Sequence, residues 1–156
     1  MFQYKTEQFL QVDVEEAWHF FSSPKNLSTI TPAELDFKIL TSLDDREIYE
    51  GMKIDYIVTP LFKIPMHWQT EITRVTRFES FTDRQLKGPY KLWEHMHTFQ
   101  PVNQGVLMTD TINYKLPLGF IGTIAHECFV KKKIENIFSY RRNILTKIFS
   151  DEPVHN

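Results

Sequence analysis

The chain has 156 residues, of which 42% are hydrophobic and 14% aromatic, and its formal net charge is -2. This length and composition are typical of a single globular domain, so we expect residues 1–156 to form one unit around one core. The near-neutral charge, with no run of like charges longer than residues 131–133, argues against a nucleic-acid-binding surface.

The sequence also argues against membrane insertion and a disulfide. The N-terminus lacks a basic segment followed by an apolar one, and no stretch approaches the ~18 apolar residues that would span a bilayer. We therefore expect a cytoplasmic protein without a membrane span. The single cysteine, Cys128, falls among apolar residues, which predicts a buried, inert thiol.

The first part of the chain predicts a strand followed by two short helices. Residues 2–12 have strand character, and Asp13 then precedes an apolar stripe at helical spacing, with Glu16 completing a capping-box pattern. The stripe comprises Val14, Ala17, Trp18 and Phe21. A second short helix is predicted at residues 26–30, between two prolines.

Six further segments alternate apolar and polar residues and are separated by turn-forming residues. They predict strands at about residues 35–39, 52–58, 66–78, 81–85, 90–100 and 108–114. Successive strands with short connections pair antiparallel, so we expect a curved meander of seven strands, the first strand included.

Residues 120–150 predict a long C-terminal helix, which would measure ~45 Å if unbroken. Its apolar stripe changes sides near residues 129–132, which predicts a kink or two helical pieces, the second being the main core helix. The fold class is therefore α+β, with a sheet wrapped around this helix and a space left between them.

The stretch from Asp83 to Phe99 is the most informative part of the sequence. Trp93, His95, His97 and Phe99 alternate with other residues, so a strand would place both imidazoles and two aromatic rings on one face. If that face is interior, each imidazole needs a partner, and an aromatic wall with a few fixed polar groups is typical of a ligand cavity.

Several motifs resemble one known group of proteins. They are F-x-S-P-x-N-L-x-x-I-T-P at residues 21–32, W-x-T at 68–70, D-x-Q-x-x-G-P-Y-x-x-W-x-H-x-H-x-F at 83–99 and F-x-Y-R at 138–141. With the element order, they resemble the SRPBCC superfamily (START-like, helix-grip), in particular its small bacterial ligand-binding branch. The resemblance implies a helix-grip fold with a deep cavity between sheet and C-terminal helix. It also implies an apolar or amphipathic ligand such as a lipid, sterol or polyketide.

Eleven residues are candidates for contact with such a ligand. Aromatic rings would pack against its bulk, and the polar groups would orient it. The candidates are Tyr56, Trp68, Thr70, Asp83, Gln85, Trp93, His95, His97, Phe99, Asp110 and Tyr114.

The polar members of this set also allow other interpretations. Asp83 and Asp110 can accept hydrogen bonds from the two histidines in a purely structural network. An H-x-H pair with neighbouring carboxylates also has the composition of a zinc or iron site. A His-Asp pair can act as a general base in an enzyme of cyclase or hydratase type. Because no nucleophile motif or cofactor fingerprint is present, we assign no catalytic residue, metal or cofactor.

Two further segments bear on the cavity. Arg141 lies on the apolar side of the last helix, where we expect a buried ion pair with a carboxylate of the sheet in preference to an anchor for a ligand. The apolar loop at residues 60–65, with residues 116–121, is predicted to form either the lip of the cavity or the contact in a homodimer.

Overall fold

The computed structural model describes residues 1–60 and 63–150. Seven strands are present: β1 (Phe2–Leu10), β2 (Lys38–Ile39), β3 (Lys53–Val58), β4 (Met66–Thr76), β5 (Ser80–Lys87), β6 (Leu92–Val102) and β7 (Gly105–Lys115). The helices are α1 (Val14–Phe21), α2 (Gly119–Ala125) and α3 (Lys131–Ser150). Two 3-10 turns, Pro24–Leu27 and Ala33–Leu35, follow α1, and a π-helical turn, His126–Val130, joins α2 to α3.

The seven strands form one antiparallel sheet in the order β1-β7-β6-β5-β4-β3-β2. From β2 to β7 each strand pairs with the next along the chain, whereas β1 pairs with β7, from Phe2 opposite Tyr114 to Leu10 opposite Val106. The curved sheet holds α3 against its inner face. The predicted α+β helix-grip architecture is confirmed.

Helix α1 closes one end of the sheet because its predicted apolar stripe is buried there. Asp13 caps the helix by accepting a hydrogen bond from the Glu16 amide at 2.8 Å. Trp18 is fully buried, and its ring meets those of Phe81 and Phe99 edge to face, with centroids 5.9 and 5.7 Å away. The sequence pattern thus located both the start of this helix and its buried face.

The segment between α1 and β3 is less regular than predicted. The second short helical element is present as the two 3-10 turns, whereas the strand expected at residues 35–39 is reduced to Lys38–Ile39. Leu35 is buried, but it lies in the second 3-10 turn. Proline explains the difference, since Pro32 begins that turn and the residue before a proline is kept out of the helical region.

The change of side along the C-terminal helix corresponds to the π-helical turn. A π turn holds one more residue than an α turn, so it shifts the apolar stripe around the helix axis. After it, α3 buries one face against the sheet, through Ile134, Phe138, Arg141, Leu145 and Phe149.

Before and within the π turn, several apolar residues are largely exposed, although Val130 is buried. Ile121, Ile124 and Phe129 have exposed fractions of 63%, 51% and 60%. The predicted burial of Cys128 is wrong, because its thiol belongs to the same exposed surface. The apolar sequence neighbours of Cys128 were not a sign of burial, because the apolar stripe of the helix changes sides in the π turn that contains this residue.

The predicted lip or dimer contact is only partly described. Leu61 and Phe62 of the loop lie outside the described residues, whereas Pro60, Leu118 and Ile121 line a cavity between the sheet and α3. The contact between two copies of the chain stays a prediction. Among the described residues, no helix is long and apolar enough to cross a bilayer.

Candidate functional site

A cavity of about 410 Å³ lies between the inner face of the sheet and α3. Its wall is mostly apolar and aromatic, with a few polar side chains from β4, β5, β6 and α3. This volume and this lining are typical of binding sites for small organic molecules. Such sites combine a large apolar surface with a few precisely placed polar groups.

The strand register brings four ionisable side chains together on the inner face. Asp83 on β5 lies opposite His95 on β6, and His97 lies opposite Asp110 on β7. Residues directly opposite each other in an antiparallel pair point to the same face. These four residues are called the His-Asp cluster below.

Each imidazole of the His-Asp cluster contacts both carboxylates. Oδ1 of Asp110 lies 2.7 Å from Nε2 of His95 and 2.9 Å from Nδ1 of His97. Oδ2 of Asp83 lies 3.1 Å from Nε2 of His97 and 3.8 Å from Nδ1 of His95. The His97 Nδ1 contact is an ion-pair contact without hydrogen-bond geometry. The two rings stack loosely, with centroids 3.7 Å apart.

Burial and these contacts shift the pKa values of the cluster in different directions. Burial alone would raise the pKa of Asp110, but the contacts with His95 and His97 outweigh it and hold that pKa far below its usual range. Burial alone would also lower the pKa of both imidazoles. For His97 the contacts with Asp110 and Asp83 prevail, so its pKa is raised, whereas for His95 burial and the neighbouring His97 prevail, so its pKa is lowered.

The cluster presents one side to the cavity. Asp83, His95 and His97 line it, while Asp110 lies behind the imidazoles. One ligand atom from each of the three lining residues falls within 4.8 Å of the others, so this trio could hold a divalent ion. Each imidazole already has a hydrogen bond to a carboxylate, however, so the cluster needs no ion to explain its burial.

Aromatic rings form a second part of the wall. Trp93 stands perpendicular to Trp68 with the centroids 5.5 Å apart, and it contacts Tyr90 at 4.6 Å. Tyr56 stacks on the other side of Trp68 at 6.0 Å, and its hydroxyl lies 3.0 Å from Oγ1 of Thr70. These rings offer a broad apolar surface to a bound molecule.

Arg141 enters the same cavity from α3. It is buried, and its guanidinium carbon lies 4.7 Å from the centre of the Phe138 ring. The expected direct ion pair with a sheet carboxylate is absent from the described residues, in which no carboxylate oxygen lies within 4.0 Å of the guanidinium nitrogens. Burial lowers the pKa of Arg141, although Asp110 and Asp83 counteract this from a distance.

The predicted site residues divide into two groups. Those that line the cavity are Tyr56, Trp68, Thr70, Asp83, Trp93, His95 and His97. The four that lie outside its lining, Gln85, Phe99, Asp110 and Tyr114, have structural contacts instead.

Of these four residues, Gln85 and Phe99 stabilise the structure at the ends of the site. Gln85 exchanges hydrogen bonds of 2.7 and 3.2 Å with the backbone of Tyr90, which closes the turn between β5 and β6. Gly88 is required in that turn, because its φ is +155° and a Cβ would come within 2.3 Å of Gln85 Oε1. Phe99 packs against Trp18 in the core.

The other two lie on β7. Asp110 is the shared acceptor of the His-Asp cluster. The Tyr114 hydroxyl lies 2.8 Å from Nε2 of His126, whose ring stacks on Phe2 with centroids 3.6 Å apart. His126 therefore ties the π turn to β1 and β7, a contact that sequence reasoning did not anticipate.

Sequence reasoning also missed Tyr90, Phe138 and Arg141 as lining residues. For Phe138 and Arg141, the sequence signal was that they lie three residues apart on the buried face of α3. This spacing places both side chains over the sheet. In the sequence, Tyr90 is distinguished only by its place directly after Gly88 and Pro89. Its position in the wall depends on the turn, not on the strand alternation.

No protein-family model matches the chain, and no curated protein matches it significantly. Solved structures do match. Protein CV1439 from Chromobacterium violaceum superposes with a TM-score of 0.71 at 12% identity, covering 96% of this chain and 98% of that one. The major latex-like protein 151 from Panax ginseng gives 0.68 at 12% identity, covering 95% and 97%.

A third match differs in length. The nucleoside-diphosphate sugar epimerase from Corynebacterium glutamicum gives a TM-score of 0.64 at 20% identity, covering 92% of this chain but only 28% of that one. The same fold thus occurs both alone and as part of a much longer chain. At these identities the three likenesses establish one conclusion, that this chain shares its fold with all of them.

Proposed function

We propose that the protein binds a hydrophobic or amphipathic small molecule in the cavity between the sheet and α3, with residues 1–156 acting as one domain. The observation that supports this most directly is the cavity of about 410 Å³ with its aromatic wall. A well-packed interior leaves few voids larger than a water molecule, so a space of this size within a small protein calls for an occupant.

Binding would be driven mainly by burial of the ligand's apolar surface, at roughly 25 cal/mol per Å² removed from water. Trp68, Trp93 and Tyr56 would supply the apolar contacts. Thr70 and the cavity-lining members of the His-Asp cluster would orient the ligand, because they are among the polar groups of this wall.

We also infer that the chain belongs to the SRPBCC superfamily. The motifs at residues 21–32, 68–70, 83–99 and 138–141 support this, as does the fold shared with the solved structures above. Superfamily membership agrees with a binding role but does not specify the ligand.

A fluorescent probe can test the binding function. N-phenyl-1-naphthylamine is neutral and apolar, and its emission rises on transfer from water to an apolar site. We expect saturable binding of one molecule per chain. Ile137→Trp should weaken it by about tenfold or more, because Ile137 lines the cavity and an indole there would fill the space.

The matched control is Ile148→Trp, on the same helix but half-exposed and outside the cavity lining. It should leave probe affinity unchanged. The absence of saturable binding to the unmodified protein, or equal effects of the two substitutions, would count against a ligand in this cavity. Mass spectrometry of the denatured protein would identify any molecule that copurifies.

A second candidate is an enzyme of cyclase or hydratase type, favoured by the 2.7 Å contact between His95 and Asp110 at the cavity wall. An imidazole oriented by a carboxylate can remove a proton from a bound substrate. His95→Gln separates the two functions. It should cost about 10²- to 10⁴-fold in rate if His95 is a general base, but change ligand affinity by less than about tenfold if it only orients the ligand.

A further inference from the structure

We propose that Arg141 binds the carboxylate of an amphipathic acid whose apolar part fills the cavity. The proposal rests on the proposed function, because it requires a ligand between the sheet and α3. It adds the chemical class of that ligand and the residue that selects it.

Arg141 is a buried cation that has no direct partner in the part of the chain that the structure describes. Only 7% of its surface is exposed, and that surface belongs to the wall of the cavity. Its Nε is enclosed and has no hydrogen-bond partner among residues 1–60 and 63–150. An unpaired buried charge is costly, so such a group normally has a counter-ion.

The carboxylates of the sheet do not supply that counter-ion. Asp83 and Asp110 attract Arg141 electrostatically, but Oδ2 of Asp83 and Oδ1 of Asp110 contact the imidazoles of His95 and His97, and none of the four oxygens lies within 4.0 Å of the guanidinium nitrogens. The guanidinium is thus close enough to be influenced by the cluster and too far away to be bonded to it. A place for one more acceptor remains on the cavity side of Arg141.

The guanidinium is also held in position before any ligand arrives. It lies over the ring of Phe138, one turn earlier on α3, at 4.7 Å from the ring centre. A fixed, planar guanidinium presents paired N–H groups that match the two oxygens of a carboxylate. Preorganisation of this kind lowers the entropic cost of binding.

A second buried donor of the wall also lacks a partner. Trp68 lines the cavity, and its buried Nε1 has no acceptor among the described residues. An indole N–H and a guanidinium can only donate hydrogen bonds. A wall with spare donors and satisfied acceptors favours a ligand that is rich in acceptors, as a carboxylate is.

Charge in the cavity does not oppose an acid. The contacts that raise the pKa of His97 favour its imidazolium form. The positive charges of His97 and Arg141 then balance the carboxylates of Asp83 and Asp110. Lys133 also lines the cavity, so a bound carboxylate would meet no net negative charge there.

Competition between two ligands of equal chain length tests the proposal. Dodecanoic acid and dodecan-1-ol would each displace N-phenyl-1-naphthylamine at pH 8, where the acid is ionised. We expect the acid to bind about tenfold or more tightly than the alcohol, the difference that one charge-assisted hydrogen bond makes. Arg141→Met should abolish this preference and leave binding of the neutral probe and the alcohol intact, which also shows that the variant is folded.

Two further variants make the result specific. Arg142→Met removes the same charge from the neighbouring residue, which is exposed and bonds to Thr6 and Glu7 of β1, and it should retain the preference for the acid. Arg141→Lys should restore part of the preference, since it keeps the charge but loses the planar pair of donors.

The outcomes are distinguishable. Equal binding of acid and alcohol to the unmodified protein, or a preference for the acid that survives Arg141→Met, would overturn the role of Arg141 and leave the binding function standing. Failure of the neutral probe and of both competitors to bind would overturn the binding function, and this proposal with it.

Discussion

Oδ1 of Asp110 lies 2.7 Å from Nε2 of His95, and both side chains are buried. The same oxygen lies 2.9 Å from Nδ1 of His97, so one carboxylate on β7 supports both imidazoles of β6 from behind the cavity wall. This shared contact links the stability of the sheet to the geometry of the candidate site.

Asp110→Asn should destabilise the protein by about 3–5 kcal/mol, the usual cost of removing one partner from a buried charged pair. An amide carries no charge to offset an imidazolium, and it would leave the two buried rings poorly paired. Urea unfolding followed by tryptophan fluorescence measures the change. Asp45→Asn is the control, because Asp45 is exposed and pairs only with Lys25 at the surface. Equal effects of the two substitutions would show that the cluster does not contribute specially to stability.

The low pKa of Asp110 predicts a loss of stability in acid. In the unfolded chain this carboxyl takes up a proton near pH 4, whereas in the folded protein it stays ionised to a much lower pH. The unfolded state therefore binds more protons as the pH falls below about 4, and the free energy of unfolding decreases. Urea unfolding at several pH values between 3 and 7 should show this slope. Asp110→Asn should flatten it, and an unchanged slope in that variant would refute the assignment to Asp110.

The two buried histidines should titrate on opposite sides of the ordinary histidine pKa. The pKa of His97 is raised by its two carboxylate contacts, so it should keep its proton above the usual range. Burial and His97 lower the pKa of His95, so it should remain neutral where an ordinary histidine begins to take up a proton. Long-range proton-nitrogen NMR spectra of the imidazoles, recorded between pH 5 and 9, would measure both. A common pKa near 6.5 for the two rings is the contrary result.

Arg141→Met should stabilise the ligand-free protein, by roughly 1–3 kcal/mol, because it replaces a desolvated charge by an apolar side chain of similar length. The lowered pKa of Arg141 indicates the same sign, since its charged form is disfavoured in the folded state. Chemical unfolding of the variant, with Arg142→Met beside it, measures the difference. A marked loss of stability in Arg141→Met alone would instead identify Arg141 as a structural counter-ion of the His-Asp cluster.

Periodicity predicted the inner face of the sheet well because a strand has only two faces. The alternation from Trp93 to Phe99 identified the buried side of β6, and the meander of short connections made β5 and β7 its neighbours. That order is sufficient to bring Asp83 and Asp110 to the histidines. The identity of the bonded atoms depended on register, which the sequence did not specify.

The contacts of a helical residue were harder to predict from its position in the sequence. The stripe on α3 correctly placed Arg141 on the buried side, but the distance to a carboxylate depends on how far the helix stands from the sheet. The cavity sets that distance, and no local pattern encodes it. Cys128 shows a second limit of sequence patterns. Its apolar neighbours suggested burial, but in the π turn at His126–Val130 this residue is exposed.

The pairing of β1 with β7 has a consequence for the order of folding. The His-Asp cluster lies within residues 83–110, on strands joined by short turns, so its contacts can form early and locally. Thr6 of β1, which lies opposite Asp110, joins only after a loop of about one hundred residues has closed, the most costly closure in this sheet. We therefore expect the N-terminal strand to be the last of the seven to pair, after the His-Asp cluster has formed.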